Sequence, residues 1–196
     1  MDAYEHACRQ NGYTNITGID EAGRGALAGP VLAAAVILPA DCQIEGLTDS
    51  KLLTPNQREV LADKIRNVAI SIGTGSVDNH TIERINILQA SLLAMKYAVA
   101  QLTPKPDYLL VDGSKLPDID IPGEAIPKGD FLSSSIAAAS VIAKTTRDRL
   151  MIEYDAKYPN YGFRQHKGYP TALHRQAIAK FGATAIHRNT FKLLPD

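Results

Sequence analysis

The chain has 196 residues, 45% of them apolar and 21% charged, with 21 basic side chains balancing 21 acidic ones. That length suits one core with a terminal extension, and the composition excludes a disordered or low-complexity chain. Zero net charge argues against a protein that wraps nucleic acid by bulk electrostatics, and Cys8 and Cys42 show neither metal nor redox spacing.

In chain order, the opening MDAYEHACRQ carries acidic residues and no apolar h-region, so no secretory signal is expected and a cytoplasmic setting fits best. Ile16 to Ile19 and Val31 to Leu38 read as strands joined by the turn Gly23-Arg24-Gly25. The second run is bracketed by Pro30 and Pro39 and falls far short of the ~20 residues that cross a bilayer. It is expected to be a buried strand, and no membrane partner is expected. Val68 to Val77 alternates as a third strand, and the short connections predict an antiparallel start. Pro55 to Arg66 reads as a helix with proline in its first turn. A longer helix is predicted from about Thr81 to Leu102, where Ile85, Leu88, Leu92 and Met95 recur at helical spacing. Asp107 to Asp112 and Glu124 to Pro127 are two more apolar runs. Ser133 to Ala156 reads as a helix whose small residues allow close packing, and the last helix is expected near Thr171 to Phe181. Strands first and alternation later predict an α/β fold with a mixed sheet and helices packed on it.

Charge is unevenly spread. Residues 1–143 hold 11 basic against 17 acidic side chains, and residues 144–196 hold 10 against 4. An acidic body suits cations and a basic end suits phosphates. Asp20-Glu21 follows an apolar strand, where two carboxylates are costly to desolvate unless something compensates them. Divalent cations of the magnesium type would do so, because they prefer hard oxygen ligands. A pair of acids at a surface turn is the alternative. Asp112 also ends an apolar run, although Asp112-Gly113 equally reads as a turn, and Asp130 equally reads as a helix cap, as does one of Ser133 to Ser135. Lys51, Lys144, Arg147 and Lys167 are candidates for phosphate contacts. The spacing of His166, His174 and His187 fits no usual zinc motif, so hydrogen bonding within the tail is expected of them. No nucleotide-gripping Gly-x4-Gly-Lys-Ser/Thr loop is present, which argues against a nucleotide-hydrolysing enzyme.

The segments ITGIDEAGRG, DSK at 49–51, NIL at 86–88, LLVDG, KGD, SIAAASVIAKTTRD and YPNYGFRQHKGYPT occur together and in this order. In these motifs, from about Thr17 through His187-Arg188, the chain resembles the type 2 ribonuclease H family, bacterial ribonuclease HII. The resemblance implies an RNase H-like fold with a mainly helical C-terminal extension, as one domain over 1–196 with a core at about 14–157 and a basic segment at about 158–196. It implies that Asp20, Glu21, Asp112 and Asp130 are both the catalytic residues and the holders of two Mg²⁺ or Mn²⁺ ions. It further implies a substrate of RNA–DNA hybrid, or of duplex DNA with embedded ribonucleotides. Gly23, Arg24, Gly25 and Tyr169 would read the ribonucleotide, with Lys51 among the substrate-binding residues. The products would be 5′-phosphate and 3′-hydroxyl ends. A non-catalytic nucleic-acid-binding module is the rival; it would lack one or more of the carboxylates, and none is lost. No protein partner is evident, and a monomer is the expectation.

Overall fold

The structure is a computed structural model that describes residues 1–47 and 53–195. In chain order its elements are α1 (Ala3–Gln10), β1 (Ile16–Ala22), β2 (Val31–Ile37), α2 (Pro55–Val68), β3 (Ser71–Val77) and α3 (Asn79–Ala100). These are followed by β4 (Tyr108–Asp112), β5 (Gly123–Ile126), α4 (Gly129–Leu132), α5 (Ser134–Lys157), α6 (Phe163–His166) and α7 (Ala172–Phe181).

The five strands form one sheet in the order β3-β2-β1-β4-β5. β1, β2 and β3 pair antiparallel, as expected, although α2 lies between β2 and β3, whereas β4 pairs parallel to β1 and β5 parallel to β4. Every residue of β2 is buried because the strand lies between two helical layers. Its odd positions, Val31, Ala33, Ala35 and Ile37, join the core beneath α3, with Ala94, Met95 and Ala98. Its even positions, Leu32, Ala34 and Val36, join the core beneath α2 and α5, with Leu61, Ile65 and Ile142. A two-residue strand period thus distributes one apolar run between two cores.

The position of α5 against β1 is set by Gly18. A Cβ there would lie 1.9 Å from the Ser135 carbonyl carbon, so any side chain would lift the helix off the sheet. Ser133 caps α5, its hydroxyl accepting from the Ile136 N–H at 3.2 Å. That settles which residue caps: Asp130 instead belongs to the separate single turn α4.

Several elements differ from expectation. The helix α1 was not expected. It carries Glu5 into the protein, where the carboxylate accepts from the Ser133 hydroxyl at 2.6 Å and from the Ser135 N–H and hydroxyl at 2.9 and 2.7 Å. Short polar helices of this kind gain stability from docking rather than propensity. Capture of Val68 by α2 leaves β3 to start at Ser71. The long helix α3 is broken at Asn86, which has φ 65 and ψ 166. Its side-chain oxygen accepts from the Leu88 and Gln89 N–H groups at 3.0 and 3.1 Å, so Asn86 caps a second helical segment. Among the described residues, no helix is long and apolar enough to cross a membrane.

Candidate active site at the ends of two adjacent strands

β1 runs three residues further than the apolar pattern predicts, so Asp20 and Glu21 lie inside the strand, paired with Ala34 and Ala33. They therefore face opposite sides of the sheet. Asp20 shares the face of Gly18 and meets Ser140 of α5, while Glu21 also borders a small space on the α3 side with Leu88, Ser91 and Met95. In the parallel register Ile19 lies beside Val111, which brings the next residues, Asp20 and Asp112, to neighbouring strand ends.

Asp20, Glu21 and Asp112 line one cavity of about 220 Å³ together with Gly23, Arg24, Gly25, Ser140, Lys144 and Tyr169. The Asp20 carboxyl is buried and accepts from the Glu21 N–H at 2.6 Å. Burial first, and then the charges of Glu21 and Asp112, push it well above the usual carboxylate range, against a lowering hydrogen bond from Ser140. Glu21 meets Arg24 at 3.3 Å. Asp112 accepts from the Gly129 N–H at 2.8 Å. That bond ties the end of β4 to the turn carrying Asp130, which is itself buried and is not part of the cavity wall. Among the described residues, no three His, Cys, Asp or Glu side chains stand as a ready coordination cage. The donor set nevertheless fits a divalent cation, because it offers hard oxygens whose mutual repulsion raises Asp20.

The loop from Gly23 to Pro30 is held by two arginines. Arg147, a predicted phosphate contact, is instead fully buried, donating to the carbonyls of Pro30, Ala28 and Lys167 at 3.0, 3.1 and 2.9 Å. This corrects the expectation of a surface cation: loop carbonyls outside the sheet ladder need donors, and a guanidinium carries five. Gly23 exists for the same contact, since at φ 95 a Cβ would lie 2.0 Å from Arg147 Nε. Arg188, not anticipated as a site residue, donates twice to the Gly29 carbonyl, at 3.0 and 2.9 Å, and once to that of Arg24, at 2.9 Å. Burial and the neighbouring Arg147 bring Arg188 down to about 9.

Tyr169 is half-buried, and its ring centroid lies 5.4 Å from both Lys144 Nζ and the Arg147 guanidinium carbon. Lys144 also meets Asp148 at 2.6 Å, and Lys167 donates to the Arg164 carbonyl. Of the candidates, then, the structure gathers Asp20, Glu21, Asp112, Gly23, Arg24, Gly25, Lys144 and Tyr169 around one space. Asp130 is buried next to Gly129, off the cavity wall, and Arg147 lies in the interior, while Lys51 lies outside the described residues. Ser140, which the sequence offered only as a small residue for close packing, sits at Asp20 and on the cavity wall.

The three histidines hydrogen-bond within the tail, as expected. His174 Nε2 lies 3.0 Å from His187 Nε2, and His166 stacks on His174 with centroids 4.3 Å apart. Burial lowers both His174 and His187 to about 4, so the rings are neutral at pH 7.

Residues 17–194 match the family model described as Ribonuclease HII. A ribonuclease HII of Acetivibrio thermocellus is 59% identical over 191 residues, covering 97% of this chain and 75% of that protein. One from Geobacter sulfurreducens is 56% identical over 189 residues, covering 96% of this chain and 87% of its own. The crystal structure of ribonuclease H2 from Pyrococcus horikoshii OT3 superposes with a TM-score of 0.76 at 27% identity, covering 92% of this chain and 95% of that one. The fold is therefore RNase H-like, and the protein is an enzyme of the ribonuclease H class, a nuclease. More narrowly, the chain belongs to the ribonuclease HII family, whose members cleave the RNA of RNA–DNA hybrids.

Proposed function

We propose that the chain hydrolyses the RNA strand of hybrids and cuts on the 5′ side of single ribonucleotides embedded in duplex DNA, leaving 5′-phosphate and 3′-hydroxyl ends. The observation that carries this reading is the convergence of Asp20, Glu21 and Asp112 on one cavity that Gly25 and Tyr169 also wall. Asp20, Glu21, Asp112 and Asp130 would hold two divalent ions, Mg²⁺ or Mn²⁺. When bound, such ions lower the pKa of an attacking water and neutralise the departing 3′ oxygen.

The chain's own residues supply the rest. Ser140 holds the Asp20 carboxyl in place, and the Gly129 N–H holds that of Asp112. Gly25, with no atom within 4 Å of where its Cβ would stand, leaves room for a sugar 2′-hydroxyl to approach the backbone. Tyr169 offers a ring, fixed by Lys144 and Arg147, on which a sugar can stack. Lys144, on the cavity wall, is placed to meet a phosphate.

The test uses end-labelled duplex DNA with one ribonucleotide, incubated with Mg²⁺ or Mn²⁺, with an all-DNA duplex as control. A cut 5′ of the ribonucleotide, lost in Asp20→Asn, is expected. Tight binding without cleavage by the wild type would favour an inactive binding module instead.

A further inference from the structure

His187 and Arg188 are consecutive and fully buried, and their side chains bond towards two different parts of the cavity wall, the Arg24–Gly25 turn and Tyr169. Through its three bonds Arg188 holds the carbonyls of Arg24 and Gly29. A trans peptide bond is planar, so fixing the Arg24 carbonyl also fixes the Gly25 N–H, which points the opposite way. The loop's backbone is tied to the C-terminal segment further on, by Leu27 to Gly168 and Arg188, by Gly29 to Ile186 and by a bridge of Ala28 to His187, and Arg188 holds the Arg24 end.

On the other side, His187 Nδ1 accepts from the Thr184 N–H at 2.8 Å, which leaves the ring's hydrogen on Nε2. That hydrogen faces His174 Nε2 at 3.0 Å, so His174 carries its own hydrogen on Nδ1, 3.0 Å from the Tyr169 carbonyl. With both rings neutral, only this tautomer pair makes every contact a hydrogen bond. The Tyr169 N–H is held as well, donating to the His166 carbonyl at 2.9 Å. The Tyr169 carbonyl also accepts from the Thr171 N–H at 2.8 Å, so both polar groups of its backbone are fixed from within the tail, with His174 adding a side-chain bond to the carbonyl.

We propose that His187, Arg188 and His174 are positioning residues that couple the two halves of the ribonucleotide reader, Arg188 setting the Arg24–Gly25 peptide and the histidine chain setting Tyr169. This rests on the reading that Gly25 and Tyr169 contact the ribonucleotide. Neither histidine lines the cavity, and neither does Arg188, so all three act through other groups.

Two substitutions of one residue separate positioning from mere stability. In His174→Asn the amide nitrogen replaces Nδ1 and still donates to the Tyr169 carbonyl; in His174→Gln the amide replaces Nε2 and reaches only His187. The readout is kcat/KM on a duplex with one ribonucleotide divided by kcat/KM on a long RNA–DNA hybrid. The ratio is expected to fall about tenfold in His174→Gln, mainly through KM, and to stay within about twofold in His174→Asn. Arg188→Lys keeps the charge but loses the fork, and is expected to behave like His174→Gln. Tyr161→Phe, which removes a 2.7 Å bond to the Gly182 carbonyl, is the stability control: its Tm falls and its ratio does not.

Equal ratios in the two His174 variants, or an unchanged ratio in folded Arg188→Lys, overturn the proposal. If the wild type shows no cleavage at single ribonucleotides, the reader assignment has failed, and amide NMR decides the positioning. A shifted Gly25 amide resonance in Arg188→Lys and faster exchange at Tyr169 in His174→Gln then support it, and an unmoved Gly25 resonance with unchanged Tyr169 exchange refutes it.

Discussion

Gly23 and Gly25 stand two residues apart in one turn and are glycine for different reasons. At Gly23 the positive φ and the Arg147 guanidinium leave no space for a methyl group. Gly23→Ala is therefore expected to cost about 2–4 kcal/mol in urea unfolding, from backbone strain plus displacement of a buried side chain that holds three carbonyls. At Gly25 nothing in the protein meets the added Cβ, so Gly25→Ala should stay within about 0.5 kcal/mol of wild type. Cleavage at a single ribonucleotide should nevertheless drop about tenfold if the backbone there approaches the sugar. A Gly25→Ala enzyme with wild-type cleavage would remove that residue from the reader. The motif Gly-Arg-Gly marks both glycines alike, and only the neighbours distinguish them.

At the scale of elements, the break in α3 lets one run of 22 residues serve two directions. Its second segment starts at Asn86 and presents Leu88 and Ser91 beside Glu21 and Asp112. At φ 65 and ψ 166 the backbone is strained for any residue but glycine, and the Asn86 side chain offsets that strain by capping the second segment. Asn86→Ala should lose the cap and retain the strain, at about 1–3 kcal/mol in unfolding free energy, whereas Asn86→Gly should cost a few tenths at most. Similar losses for the two would mean that the break is imposed by packing and not by Asn86. The helical spacing of Ile85, Leu88, Leu92 and Met95 announces the helix but not the break, because the hydrophobic pattern continues across it. Similarly, β1 ends three residues later than its apolar run, since pairing with β2 continues the ladder through Asp20 and Glu21 regardless of polarity.

For the whole molecule, the C-terminal segment packs on the end of α5 and on the loop after β1, in a core with Met151, Leu27 and Ala28, and holds a neutral histidine pair. His174 and His187 fall to about 4 in the folded chain, against about 6.5 when unfolded. The unfolded chain thus binds more protons between these values, so their contribution is fully present above about pH 6.5 and is lost as the pH falls towards 4. Roughly 3 kcal/mol for the first ring protonated is expected to go, seen as a lower urea midpoint at pH 4.5 than at pH 7 and a smaller difference in His174→Asn. Equal pH dependence in the two proteins would dissociate the histidines from acid stability. The sequence alone determined the family, the order of most elements and the identity of the acids, because these are written in contiguous motifs and in local periodicity. It also announced a basic tail, but only the tertiary structure decided that Arg147 and Arg188 serve as interior donors to a loop more than a hundred residues away. It likewise decided that Asp20 meets Asp112, that Ser140 joins them and that Asp130 lies off the cavity wall. Such assignments depend on strand register and on which unpaired carbonyls need donors, and no local pattern encodes either.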